Sequence, residues 1–176
     1  MDEVTFIIRL LKDNWSGAGS DLVSTGEISA SHNATPKFID VRSIEPKEGR
    51  RVDIDSESVL IVYEDSSTTD YRTIDYSARD ETFTFTLHLR ILHRRDMVSN
   101  TLSRDRLAAL YKIVRRVFEN NAFRPTVYTT AGDTASPVLG NADLIKITSR
   151  NEANDRGKRL LGYKMGVEMK RFARAT

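Results

Sequence analysis

Three histidines, His32, His88 and His93, are the side chains of this sequence best suited to hold a metal or move a proton near neutral pH. His88 and His93 sit five apart in the stretch FTFTLHLRILHR (83–94). There Phe83, Phe85, Leu87, Leu89 and Ile91 alternate with Thr84, Thr86, His88 and Arg90, which is the period of a β-strand with one apolar and one polar face. The odd separation puts the two histidines on opposite faces, so they share no metal without a bulge. His32 lies in an unpatterned segment. All three are expected to be structural or solvent-facing rather than ligands. Asp53, Asp55 and Glu57 would share one face of an extended chain, and three carboxylates suit Ca²⁺ or Mg²⁺. The segment has neither the glycine nor the later glutamate of an EF-hand loop, so a solvated loop edge is the expected reading.

Other reactive arrangements fare no better. The chain has no cysteine, hence no disulfide, no thiolate zinc site and no cysteine nucleophile. It has no Walker loop, no G-x-G-x-x-G and no G-x-S-x-G. The glycines of SGAGS (16–20) follow a helical pattern rather than a strand, so they form no phosphate cradle. No serine has a base and an orienting acid nearby in sequence, although such triads can assemble from distant segments. No catalytic residue, metal ligand or cofactor is expected, and the chain reads as a non-enzyme.

Charge is more informative. Net charge is +2 over 176 residues, but it is unevenly spread. Residues 1–81 carry 9 Lys and Arg against 17 Asp and Glu; residues 82–176 carry 18 against 8. Such a split fits a basic nucleic-acid face, or a protomer that docks head to tail on copies of itself. Folding can also intermix the halves and erase it. Basic residues recur at Arg90, Arg94 and Arg95, at Arg104, Arg106, Lys112, Arg115 and Arg116, and at Arg156, Lys158 and Arg159. The aromatics mostly occupy apolar stripes, so a stacking surface for nucleic acid is not expected. No apolar run approaches the roughly 20 residues that span a bilayer. The acidic, amphipathic start MDEVTFIIRLLKDNW does not read as a signal peptide, which makes the cytoplasm the expected site of synthesis and no membrane the expected partner.

The elements that would position these residues follow from periodicity. Val4, Ile7, Ile8 and Leu11 predict a helix over 2–14, ended by SGAGS. KFIDV, SVLIVYE (58–64), YRTIDYS (71–77) and the 83–94 stretch predict strands, with DSSTTD (65–70) a turn. Leu107, Leu110, Tyr111, Val114, Val117 and Phe118 predict a long helix over about 101–120, stopped by NNAFRP. TVYTT, ADLIKITSR and LLGYKMGVEMKRF predict closing strands. Polar loops are expected at 16–35, 42–57, 131–141 and 151–159. This order is not an alternating βα series. It predicts a single α+β domain over 1–176, a mostly antiparallel sheet with two main amphipathic helices covering one face.

In this order of elements the chain resembles the tail terminator, or tail completion, proteins of long-tailed viruses of the siphovirus and myovirus kind. The likeness runs through VTFIIRLLKDNW, SVLIVYE, YRTIDYS feeding FTFTLHLRILH, LSRDRLAALYKIVRRVFENN, ADLIKITS and GYKMGVEMKRF. It covers most of residues 2–172 and departs at 16–35 and 42–57. The resemblance implies a structural virion protein, assembled in the host cytoplasm, that forms a ring at the head–tail junction, usually a hexamer. The ring caps the tail tube and joins it to the connector in the neck. Its implied partners are the tail tube protein, a connector or head-completion protein, and DNA only as non-specific cargo through the channel. The family has no catalytic residues to carry over. On this reading Thr84, Thr86, His88, Arg90, Lys164, Glu168 and Lys170 are candidates to face a neighbouring subunit or the channel, with Arg115 and Arg116 as candidate electrostatic contacts. Gly162 and Gly166 would permit close backbone approach. Other readings are another neck or tail component, such as a head-completion protein or tube subunit, and a small basic nucleic-acid-binding module.

Overall fold

The computed structural model describes residues 2–40, 58–71, 78–92, 100–125, 127–128, 137–138, 142–154 and 160–174. Helix α1 (Glu3–Ser24) opens with Asp2 as its cap, whose carboxylate accepts the Thr5 N–H at 3.0 Å and the Thr5 hydroxyl at 2.8 Å. The break expected at SGAGS does not occur. The apolar stripe continues through Trp15, Ala18, Gly19 and Leu22, all buried. Burying Trp15 and Leu22 stabilises the helix by about 2–3 kcal/mol each, more than the roughly 1 kcal/mol each glycine costs. Trp15 is held at both ends, by an N–H bond to the Ala34 carbonyl at 3.1 Å and an edge-on contact with Phe38 at 5.5 Å. The helix stops two turns later, at Gly26. With φ at +74°, Gly26 lets its own N–H reach Val23 O at 3.1 Å and the Glu27 N–H reach Leu22 O at 2.9 Å. Segment 16–35 is therefore helix as far as Ser24, not a loop.

Strands β1 (Lys37–Asp40), β2 (Ser58–Tyr71) and β3 (Ala78–Leu92) follow, then helix α2 (Asn100–Asn120). Short strands β4 (Val127–Tyr128) and β5 (Pro137–Val138) pair with each other, the latter inside the expected 131–141 loop. Strands β6 (Leu144–Glu152) and β7 (Leu160–Arg174) complete the chain. The sheet order is β1-β2-β3-β7-β6, with β1 parallel to β2 and every other pairing antiparallel. The α+β class expected from the sequence is the one observed.

DSSTTD (65–70) is strand, not turn: Ser66 to Asp70 pair with Thr84 to Asp80 of β3, after a bulge between Glu64 and Ser66. Every residue from Glu64 to Asp70 is exposed, so no burial pattern marks the strand in the sequence. Segment 42–57, expected as a loop and holding Asp53, Asp55 and Glu57, lies outside the described residues, as do 72–77, 93–99 (with His93) and 155–159. Asn151 and Glu152, expected in a loop, belong to β6.

Both helices lie on one face of the sheet. Phe83, Phe85, Leu87, Leu89 and Ile91 of β3 and Met165, Val167 and Met169 of β7 pack in one core with Phe6, Leu10 and Trp15 of α1 and Leu110, Val114, Val117 and Phe118 of α2. Near the open end of this core, Glu81 is buried and bonded by Arg171, its cross-strand partner, with Arg171 Nε at 2.6 Å. Arg79 meets the other oxygen of Glu81 at 2.8 Å, and Arg171 also reaches Glu3 at 3.4 Å. This network ties the start of α1 to β3 and β7.

Candidate functional site

The face turned away from the helices carries the even residues of β3 and β7. Seven of the nine residues singled out from the sequence meet there. In register, Thr84 opposes Glu168, Thr86 opposes Gly166, His88 opposes Lys164 and Arg90 opposes Gly162; Lys170 follows opposite Thr82. Directly paired residues of an antiparallel ladder project to the same side, so these side chains form one band across two strands.

Six of the seven have a local partner. Thr84 shares a hydroxyl bond with Ser66 at 2.7 Å, and Thr86 donates to Asp65 Oδ2 at 2.7 Å. Glu168 receives Lys146 at 3.0 Å and Lys170 at 3.7 Å. His88 is buried, although it sits on this face, beside Val59 and Ile61, which are buried here too. Arg90 Nη2 lies 2.8 Å from His88 Nδ1. A guanidinium can only donate, so His88 accepts and its ring is neutral. Burial, then the charges of Arg90 and Lys164, lower its pKa from 6.5 to about 4. His88 is thus a structural acceptor.

The two glycines of β7 mark close approach. A Cβ on Gly162 would fall 2.7 Å from Leu89 O in β3 and 3.1 Å from Ala153 O just past the end of β6, backbone on both sides. Ala153 N–H donates to Gly162 O at 2.9 Å, and Gly162 N–H to Asn154 Oδ1 at 3.2 Å. A Cβ on Gly166 would meet the hydroxyls of Ser149 and Thr148, at 2.7 and 2.8 Å.

Arg115 and Arg116 lie on α2, across the sheet from this band. Arg115 is exposed and pairs with Glu119 at 2.6 Å one turn on. Arg116 bridges the helices instead: Nη1 meets Asp21 at 2.7 Å and Nη2 meets Glu27 at 2.7 Å. Its charge is engaged within the subunit. Arg116→Ala is expected to cost about 1–2 kcal/mol of stability in urea unfolding, and Arg115→Ala less than about 0.5 kcal/mol, because one part-buried and one exposed charged hydrogen bond are lost in the first case and one exposed pair in the second.

The cavities are modest. One of about 190 Å³ lies between the end of α2 and β6, lined by Phe118, Ala122, Ile145 and Ile147 with Arg115, Glu119 and Lys146 at its rim. Another, of about 350 Å³, is bounded by Arg104, Leu107, Glu152, Asn154, Leu161 and Tyr163. Among the described residues no group of three or more His, Asp or Glu side chains is placed to hold a metal ion. None of the described helices is long and apolar enough to cross a membrane.

One surface residue escaped the sequence reading. Phe123, in the segment expected to stop α2, is 80% exposed. The signal was present in NNAFRP: a large aromatic between a helix end and a proline, outside any stripe. No protein-family model and no curated protein matches this chain.

Proposed function

We propose that this chain is a structural protein of the virion neck, a tail-terminator-like subunit that closes into a ring, caps the tail tube and joins it to the connector. The role is non-catalytic. The observation that carries the reading is the layout of the sheet: both helices cover one face, and the other carries the polar side chains of two long central strands, interrupted where His88, Val59 and Ile61 are buried. A ring subunit needs a stiff slab with surfaces left for its neighbours, and a twisted sheet backed by two helices supplies one. Hexameric closure follows from the family likeness; the tail tube and a head-completion or connector protein are the proposed partners, and DNA passes as cargo.

Negative-stain imaging and native mass spectrometry of the purified protein test this. Closed rings of fixed copy number, binding the end of a tail tube, are the expected result. Open stacks would make it a tube subunit. A second reading has one observation in its favour, the cations Arg90, Lys146, Lys164 and Lys170 on the helix-free face. Monomers that bind DNA with an affinity falling steeply as salt rises would establish that reading instead, through counterion release.

A further inference from the structure

The sheet has two lateral margins, and they differ. On one side β1 ends with Asp40 opposite Val62, and among the described residues no strand pairs with the outer edge of β2 beyond it. Glu64 to Asp70 are seven consecutive exposed residues, with three carboxylates and no base; Glu64 pairs with Phe85 on the helix side and Asp70 with Asp80 on the helix-free side, so the carboxylates line both rims of this edge. On the other side, residues 122–124 run along the start of β6. Ile145 N–H donates to Ala122 O at 2.9 Å, Arg124 N–H to Asp143 O at 3.0 Å, and Phe123 pairs with Leu144. Leu144 pairs with Lys170 and Lys170 with Thr82, so Phe123 stands on the helix-free face. It is 80% exposed, and Phe172, two residues along β7 from Lys170 on the same face, is 50% exposed.

Two further facts separate this corner from ordinary surface. Arg124, next to Phe123, has φ at +46°, a left-handed conformation that non-glycine residues adopt at a cost. The backbone turn that holds Phe123 out is therefore maintained against local preference. Lys146 and Lys170 also lean on one carboxylate, Glu168. With Arg124 and Asp143, this leaves excess positive charge around the aromatic.

We propose that the Phe123 corner of one copy docks on the acidic β2 margin, Glu64 to Asp70, of a second copy. An apolar centre with a small excess of positive charge beside it meets a carboxylate-rich stretch, which is the anatomy of an interface with a desolvated core and a charged rim. The two patches sit at opposite margins of one sheet, so the contact is heterologous and can propagate around a ring. Both margins carry a bulge, at Glu64/Ser66 and at Ile147/Ser149, which blunts strand-to-strand addition. Side chains rather than a continued ladder make the contact. This assignment rests on the ring reading above and names its joint.

The test uses two variants, Phe123→Ser and the pair Glu64→Lys with Asp70→Lys, all at exposed positions, followed by sedimentation and native mass spectrometry at low salt. Each variant alone loses the ring and stays monomeric with an unchanged unfolding midpoint. Mixed in equal amounts they form dimers and nothing larger, because each supplies the patch the other lacks. Wild-type rings that persist in either variant, or a mixture that stays monomeric, overturn the joint and leave the ring. Wild-type protein that remains monomeric at every concentration overturns the ring reading and the joint with it.

Discussion

Gly162→Val is expected to destabilise the fold by about 3 kcal/mol, the scale of overpacking into a site that cannot yield. The obstacle is backbone on both sides. A Cβ would come within 2.7 Å of Leu89 O in β3 and 3.1 Å of Ala153 O beside β6. A flexible side chain could swing away, but a carbonyl in a ladder can move only with its strand. The alternatives are parting β7 from β3 or giving up the Ala153–Gly162 bond, and both loosen the end of the ladders on either side of β7. Gly17 is the control. It lies on the exposed side of α1 with nothing within 4 Å of the Cβ position, so Gly17→Ala stabilises by up to about 1 kcal/mol through helix propensity. Urea unfolding of the two variants should therefore shift in opposite directions. A Gly162→Val protein with a wild-type midpoint would mean that the strands at this crossing are not tightly coupled.

The second large effect is a dependence on pH. His88 has a folded pKa of about 4, against 6.5 for an unperturbed imidazole. Because this base is harder to protonate when folded, the unfolded chain takes up the proton first as pH falls. The contribution of His88 is complete above about pH 6.5, declines between 6.5 and 4, and is flat below that. The full span is worth at most about 3.5 kcal/mol, since a tenfold change in proton affinity corresponds to about 1.4 kcal/mol. Unfolding free energies at pH 7.5, 5.5 and 4.2 measure it. Carboxylates also titrate near the lower limit, so the decisive comparison is with His88→Gln, whose amide oxygen can still accept from Arg90. The variant should lose the slope between pH 6.5 and 5, where carboxylates contribute little. Identical slopes in the two proteins would show that the ring is not held neutral by burial beside Arg90 and Lys164.

Much of the scaffold was legible because periodicity reports burial directly. The alternation of Phe83 to Ile91 named the face that meets the helices, and the stripe from Leu107 to Phe118 named the face of α2 that meets the sheet. Where burial did not follow propensity, the reading failed. SGAGS has the composition of a breaker, yet Trp15 and Leu22 lie either side of it on one helical face, and their burial outweighs two glycines. DSSTTD has the composition of a turn, yet it is strand because β3 provides a ladder beside it.

The band of candidates shows the same division. That Thr84, Thr86, His88 and Arg90 share a face is a property of one strand, and so is the kinship of Lys164, Glu168 and Lys170. Their union required β3 and β7 to become neighbours, although α2 and 67 residues separate the end of one from the start of the other. No local rule records that pairing. Arg116 resembles Arg115 in the chain, yet it meets Asp21 and Glu27, 95 and 89 residues away.

By itself, the order of residues determined the class of fold, the two amphipathic helices and which side of each central strand is apolar, because these depend on neighbours within a few positions. Tertiary structure alone decided which polar side chains stand together, which charges are spent inside the subunit, and that Phe123 is left in solvent. Those outcomes depend on strand order and on backbone approach between distant segments, where a carbonyl 2.7 Å from a missing Cβ counts for more than any propensity.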